Sequence, residues 1–277
     1  MKYKLICIDM DGTLLNTDNQ VSDDNIKALK KATEMGIHIA ITTGRIYASA
    51  KYYSGIVGID APIITANGAS IKDSGDGNVI YNNPIPSDIL IGCAEILKKY
   101  NLKANFTTGD TIFTSYEIPE THSYKVTNKI VPNEFKVNFL VFDNINDGIS
   151  KFEGKILKCF VGEDSNLDGF RNARAEITKT FGDFLHIVSS GVNNFEIMQK
   201  DSSKGNAAKR LAKRLGITKD EVICIGDSEN DLSMIQFAGL GVAMGNAMDL
   251  LKSEADFITE TNNNSGVARA IEKFCFA

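Results

Sequence analysis

"LICIDMDGTLLNT", residues 5–17, begins apolar and ends in acid. Leu5, Ile6, Cys7 and Ile8 form an unbroken apolar run with β-branched members, the pattern of a parallel strand buried on both faces. The run delivers Asp9 and Asp11, followed by Gly12 and Thr13. Two neighbouring carboxylates repel each other when both are ionised. A pair at the carboxyl end of a buried strand therefore needs a cation or a shared proton.

Outward from this strand the chain alternates. "VSDDNIKALKKATEMG" offers Ser22 as N-cap, Ile26, Leu29 and Ala32 at helical spacing, and Gly36 as a stop. A strand over 37–43 follows, then Gly44 and Arg45 opening a helix to about residue 53. A third strand over 62–68 leads into "ASIK" and "VIYN", joined by "DSGDGN", a hairpin signal. From Pro84 the rhythm changes to helices and paired strands, including "FKVNFLVF", "ILKCFVG", "FLHIVSS" and "NNFEIM". That mixture suggests an α+β unit. Strict alternation of helix and strand returns near Ser203. The pattern predicts an α/β fold: a doubly wound, Rossmann-like parallel-sheet core from residues 1–84 and 191–277, with an α+β domain inserted over 85–190.

Composition narrows the classes. With 277 residues the chain is long enough for two domains, and 43% hydrophobic with 23% charged is an ordinary globular balance. A net charge of −5 gives no reason to expect a nucleic-acid partner. No apolar run approaches the ~18 residues of a membrane span, and the start of the chain enters a strand without a signal-peptide pattern. The five cysteines are singly spaced with no CxxC, which points to a reducing compartment and a cytoplasmic location. Three histidines, with His38 inside a strand pattern, leave little material for a His-based triad.

Ligands of open parallel sheets bind beyond the carboxyl ends of the strands. Those ends carry Asp9 and Asp11, then Thr42, Thr43 and Gly44, then Asn67 and Gly68; "ICIGDSEND" adds Asp227, Asn230 and Asp231. Oxygen ligands without Cys or His suit a hard cation, Mg²⁺ above all. Gly44 at a helix start would let backbone N–H groups approach an anion. Lys204, in "SSKGNAA", sits at another helix start and adds positive potential there.

In this order the segments resemble the haloacid dehalogenase-like superfamily: "DMDGTL" its first motif, "ITTGR" its second, Lys204 its third and "GDSEND" its fourth. The insert between the second and third motifs resembles the type IIB cap of the Cof-like phosphatases. "ITANGASI", "VAMGNA" (242–247) and "TNNNSGVARAIEKF" fit the same branch. The resemblance implies a Mg²⁺-dependent phosphatase of small phosphorylated metabolites, either sugar phosphates or a phosphorylated cofactor such as pyridoxal phosphate. It implies Asp9 as the nucleophile that becomes an aspartyl phosphate and Asp11 as general acid and base. Mg²⁺ would be held by Asp9, the Asp11 backbone carbonyl and Asp227. Phosphate would be held by Thr43, Gly44, Lys204 and Asn230, with Asp231 orienting Lys204 or a metal-bound water.

Two alternatives share these residues: a phosphomutase of the same superfamily, and a non-catalytic phosphometabolite-binding protein, against which the intact acid pair argues. A dehalogenase needs no acid at the position of Asp11, and a P-type pump needs a membrane segment. The expected partner is a small phosphorylated metabolite, with no nucleic acid and no membrane, for a monomer or small homo-oligomer. Specificity is expected from side chains of the insert, with "NFTTGDTIFTS" and "SSGVNNFEIM" as the candidate stretches.

Overall fold

The computed structural model describes residues 2–73, 75–163, 165–189 and 193–276. Residues 190–192, which hold the expected domain boundary and part of "SSGVNNFEIM", lie outside the described residues. The chain divides into two compact units. The first comprises Met1–Gly44, Tyr53–Tyr81 and Ser203–Ala277, the second Arg45–Tyr52 and Asn82–Ser202.

The first unit opens with β1 (Leu5–Asp9), α1 (Asp23–Glu34), β2 (His38–Thr42), α2 (Tyr47–Val57), β3 (Ile63–Thr65), β4 (Ser70–Lys72) and β5 (Val79–Asn82), the early turns of α2 grouping with the second unit. All five residues of β1 are buried, as a strand with parallel partners on both sides requires. Each of its large apolar side chains stabilises the fold by about 1.5–3 kcal/mol. In α1, Ser22 Oγ accepts from Asn25 N–H, Asp23 and Asp24 complement the helix dipole, and Gly36 takes a φ of 84° just past the end.

The second unit contributes α3 (Ser87–Lys99), β6 (Ala104–Thr107), β7 (Thr111–Thr114), α4 (Ser123–Thr127), β8 (Asn138–Val141), α5 (Ile145–Lys151), β9 (Lys158–Gly162), α6 (Leu167–Phe181), β10 (Leu185–Val188) and β11 (Asn194–Gln199). The chain then returns to the first unit with α7 (Lys204–Arg214), β12 (Val222–Gly226), α8 (Leu232–Phe237), β13 (Leu240–Ala243), α9 (Asp249–Glu254), β14 (Phe257–Ile258) and α10 (Gly266–Cys275).

Strand order in the first sheet is β14-β13-β12-β1-β2-β3-β4-β5, parallel from β14 to β3 and antiparallel between β3 and β4. From β1 the chain winds outward to β3, and from β12 it winds outward the other way to β14. The reversal lies between β1 and β12. Such a switch point opens a crevice at the carboxyl ends of its two strands.

The second sheet runs β10-β11-β9-β6-β7-β8, antiparallel except between β7 and β8. This corrects the boundary expected at 190. Strand β11 pairs with β9 and β10 and belongs to the second sheet, so that unit runs on to Ser202. One face of the sheet, with Phe106, Phe113, Cys159, Val161, Phe195 and Ile197, packs in one apolar cluster with residues of α3, α5 and α6. Alternate residues point the other way. The opposite face carries buried Asn105, Thr107, Lys158 and Glu196, with Lys158 Nζ 3.2 Å from Glu196 Oε2.

Phe113 is fully buried and stacks on Phe106 and Phe152 at centroid distances of 5.4 and 5.2 Å. Phe113→Ala should destabilise the protein by about 3–5 kcal/mol, read as a lowered urea midpoint. A midpoint equal to the parent's would mean this cluster does not hold the second unit together.

Candidate active site

Residues far apart in sequence meet at the switch point. Asp9 ends β1 and pairs in register with Thr42 of β2. Asp227 follows the last residue of β12. Lys204 opens α7, whose N-cap Ser203 accepts from Asn206 N–H through its hydroxyl. A cation at a helix N-terminus opposes the dipole, yet Lys204 is only 1% exposed. Two carboxylates hold it there. Its Nζ donates to Asp9 Oδ1 and, at 2.6 Å, to Asp231 Oδ1. Burial works against the ammonium, but Asp231 and Asp9 outweigh it and raise its pKa above the ordinary lysine value.

Asp231 ties two segments together. While Oδ1 takes Lys204, Oδ2 accepts from the backbone N–H groups of Asp227 at 2.9 Å and Ser228 at 3.0 Å. Gly226 packs so closely on this carboxylate that a Cβ there would come within 2.5 Å of Asp231 Cγ. Asp227 is clamped from the β1 side: Thr13 Oγ1 donates to its Oδ1 at 2.9 Å, and Ser228 Oγ donates to its Oδ2 at 3.0 Å. Gly12, at a φ of 75°, lies so near that a Cβ would approach Asp227 Oδ2 to 2.6 Å. Sequence reasoning quoted Gly12 and Thr13 but gave them no task; their adjacency to Asp11 was the available signal.

Carboxylate oxygens of Asp9, Asp227 and Asp231 lie within 4.8 Å of one another. One lysine cannot balance three carboxylates. Burial first, and Asp231 next, push the Asp9 carboxyl well above its ordinary range despite Lys204. Burial and Asp231 raise Asp227 in the same way. An all-oxygen donor set with surplus negative charge fits a hard divalent cation such as Mg²⁺.

The remaining expected residues are placed as follows. The Asp11 side chain is exposed and outside the carboxylate cluster. Thr43 is buried one residue beyond β2; its N–H donates to Ile64 O at 2.9 Å and its carbonyl accepts from Asn67 N–H at 3.1 Å. The helix expected to open at Gly44 begins instead at Tyr47. The chain between is held otherwise, with Ile46 buried beside Ile112 and Val137 and its N–H donated to Tyr124 Oη at 3.2 Å. Asn230 Nδ2 donates to Asn67 Oδ1 at 3.1 Å, and Asn230 Oδ1 is buried without a hydrogen-bond partner. No helix among the described residues is long and apolar enough to cross a membrane.

Comparison with known proteins extends this picture along the chain. A family model described as haloacid dehalogenase-like hydrolase matches residues 6–271. The 5-amino-6-(5-phospho-D-ribitylamino)uracil phosphatase YcsE of Bacillus subtilis is 35% identical over 268 residues, covering 97% of this chain and 94% of that protein. Phosphatase YwpJ of the same organism is 34% identical over 286 residues, covering 97% and 99%. A solved haloacid dehalogenase-like hydrolase from B. subtilis matches with a TM-score of 0.85 and 31% identity, covering 98% of this chain and 99% of that one. The match takes in every segment that meets at the switch point, and the chain belongs to the haloacid dehalogenase-like hydrolases, with phosphatases among its curated relatives.

Proposed function

We propose that the chain is a Mg²⁺-dependent phosphatase of small phosphorylated metabolites, with Asp9 as nucleophile and the second unit as its substrate-selecting cap. The observation that carries this reading is the buried Lys204 ammonium held between Asp9 and Asp231, beside Asp227. A carboxylate beside fixed positive charge is what attack on a phosphoryl group calls for, and this supports the reading.

An Asp9 carboxylate oxygen attacks phosphorus as the ester P–O bond breaks, its electron pair going to the departing alkoxide. Asp11 gives its proton to that alkoxide, which leaves as an alcohol. The Asp11 carboxylate then takes a proton from water while the water oxygen attacks phosphorus. The bond to Asp9 breaks, restoring its carboxylate and releasing inorganic phosphate. Lys204, the Thr43 hydroxyl and the Gly44 N–H hold the phosphoryl oxygens, and Asp231 fixes Lys204. Asn230 joins them by turning its amide from Asn67 towards phosphate. Asp9, Asp227 and the Asp11 backbone carbonyl would hold Mg²⁺, which when bound neutralises phosphoryl oxygens and favours ionised carboxylates around it.

For the leaving group, the chemistry of the second unit favours polar, hydroxyl-rich molecules. Asn105, Lys158 and Glu196 supply amide, ammonium and carboxylate groups there, all buried. A phosphorylated polyol chain, as in the compound that gives the relative YcsE its name, or a sugar phosphate suits such groups better than an apolar ester. Release of phosphate from a panel of sugar phosphates, ribityl phosphates, nucleotides and pyridoxal phosphate, ranked by kcat/KM, tests this. Preference for apolar aryl esters over all polyol phosphates would overturn it.

Asp9→Asn should abolish turnover, by on the order of 10⁴-fold or more, as loss of a nucleophile does in other covalent enzymes. More than a few per cent of parental activity, in a folded and Mg²⁺-loaded variant, would remove Asp9 from the mechanism. Activity should vanish in excess chelator and return with Mg²⁺, while Ca²⁺ should inhibit because it favours more ligands and looser geometry. Undiminished turnover in chelator would refute the assigned part of Asp227.

Stability of the metal-free protein should carry the same signature. A carboxyl whose pKa is raised by folding contributes most while protonated, and that contribution is lost as pH rises from the ordinary carboxylate range through the raised value. In chelator, Asp9→Asn should therefore gain thermal stability over the parent at about pH 8, with the gap closing towards about pH 4. Melting curves at both pH values decide it, a pH-independent gap being the contrary result.

A further inference from the structure

The loop that carries Asp11 is held by neutral amides. Within the loop, Leu14 N–H donates to Asp9 O at 3.2 Å and Leu15 N–H to Met10 O at 2.9 Å, so residues 9–15 form a tight turn through left-handed Gly12. Three asparagines from other segments then take its carbonyls. Asn246 Nδ2 donates to Gly12 O at 2.8 Å, Asn262 Nδ2 to Leu15 O at 2.9 Å, and Asn25 Nδ2 to Leu14 O at 3.4 Å. Two of them are also fixed through their amide oxygens. Asn246 Oδ1 accepts from Asn262 N–H, and Asn25 Oδ1 from Ala268 N–H, both at 2.9 Å. Asn246 lies in "VAMGNA" and Asn262 in "TNNNSGVARAIEKF", segments for which the phosphoryl-transfer steps have no use.

Asn25 and Asn262 are buried, whereas Asn246 is exposed. Burial makes the first two necessary to folding, since an unpaired buried amide is costly. Exposure leaves Asn246 little structural work, yet its amide grips the carbonyl of the residue directly after Asp11. That bond fixes the plane of the Gly12–Thr13 peptide. Gly12 is the one residue of the turn without a side chain to limit its own rotation.

We infer that Asn246 is a positioning residue for Asp11, holding the following residue's carbonyl so that the Asp11 carboxyl is presented to the leaving oxygen. The inference rests on the acid role given to Asp11 above. Without the clamp Asp9 still attacks, but protonation of the departing oxygen slows. The defect then depends on the leaving group: a nitrophenolate departs without a proton, whereas an alkoxide requires one.

The test compares 4-nitrophenyl phosphate with glycerol 2-phosphate, in the full-length Mg²⁺-loaded protein. Asn246→Ala removes both bonds. Asn246→Asp keeps an acceptor for Asn262 N–H and removes the donor to Gly12. Both variants should raise the ratio of kcat on the aryl ester to kcat on the alkyl ester, by on the order of tenfold, less than the about 10²–10⁴-fold of a full general-acid effect. Melting temperature should stay within about 3 °C of the parent, as for an exposed side chain. Asp11→Ala, run in parallel, should show the same bias more strongly. Equal losses on both esters, no loss on either, or a parental ratio in Asn246→Asp would overturn the inference. An unbiased loss in Asp11→Ala would instead overturn the acid role of Asp11 on which it rests.

Discussion

The structure of the site depends on a buried ammonium at a place where a cation is unwelcome. Lys204 sits on the first turn of α7, against the helix dipole and out of water, held by Asp9 and Asp231. Removing the lysine from such a buried charge set typically costs about 3–5 kcal/mol, because the carboxylates are left uncompensated. Asp9 is 195 residues away in sequence and Asp231 is 27 away, so one side chain fixes three elements at a common point. Asp231 passes the constraint on through its second oxygen to the backbone after β12, which sets Asp227. The cost of burying Lys204 is thus offset by a network that also sets the backbone at Asp227.

Close approach is the second constraint, and it explains where side chains are missing. Gly12 and Gly226 lie where a single added carbon would strike the Asp227 or Asp231 carboxylate. At Gly68, with a φ of 95°, a Cβ would come within 2.2 Å of the Ser203 carbonyl, just before Lys204. Acids and lysine converge only because the backbone between them is stripped. The surplus negative charge that results raises the Asp9 and Asp227 carboxyls, and a divalent cation is the natural counterweight.

Much of this was legible in the sequence, for reasons that are local. The β1 run shows itself because a strand parallel-paired on both sides must be apolar throughout, and Ser22 marks α1 because its cap bond spans three residues. Lys204 at a helix start and acids at strand ends were readable as a set. What stayed hidden depends on distant partners. "NNFEIM" alternates as any half-buried strand does, and nothing in it says that β9 is its neighbour, so the second unit was ended too early. The delayed start of α2 depends on Tyr124, far along the chain. The contact of Asn230 with Asn67 joins two loops 163 residues apart, and neither loop predicts it.

The choice of asparagine around the Asp11 loop follows from the same electrostatics. Lysine or arginine could donate to the carbonyls of Gly12, Leu14 and Leu15 as well as an amide can. Either would add a positive charge to the loop, on a long side chain that loses more rotamer freedom when held in one geometry. Asparagine supplies the donor without the charge, and its oxygen accepts a second bond that fixes the amide in turn. Positive charge is thereby kept to Lys204, between the Asp9 and Asp231 carboxylates, and the Asp11 loop is held by neutral groups. The fold thus separates the two demands, concentrating charge around Lys204 and holding the Asp11 loop by neutral amides.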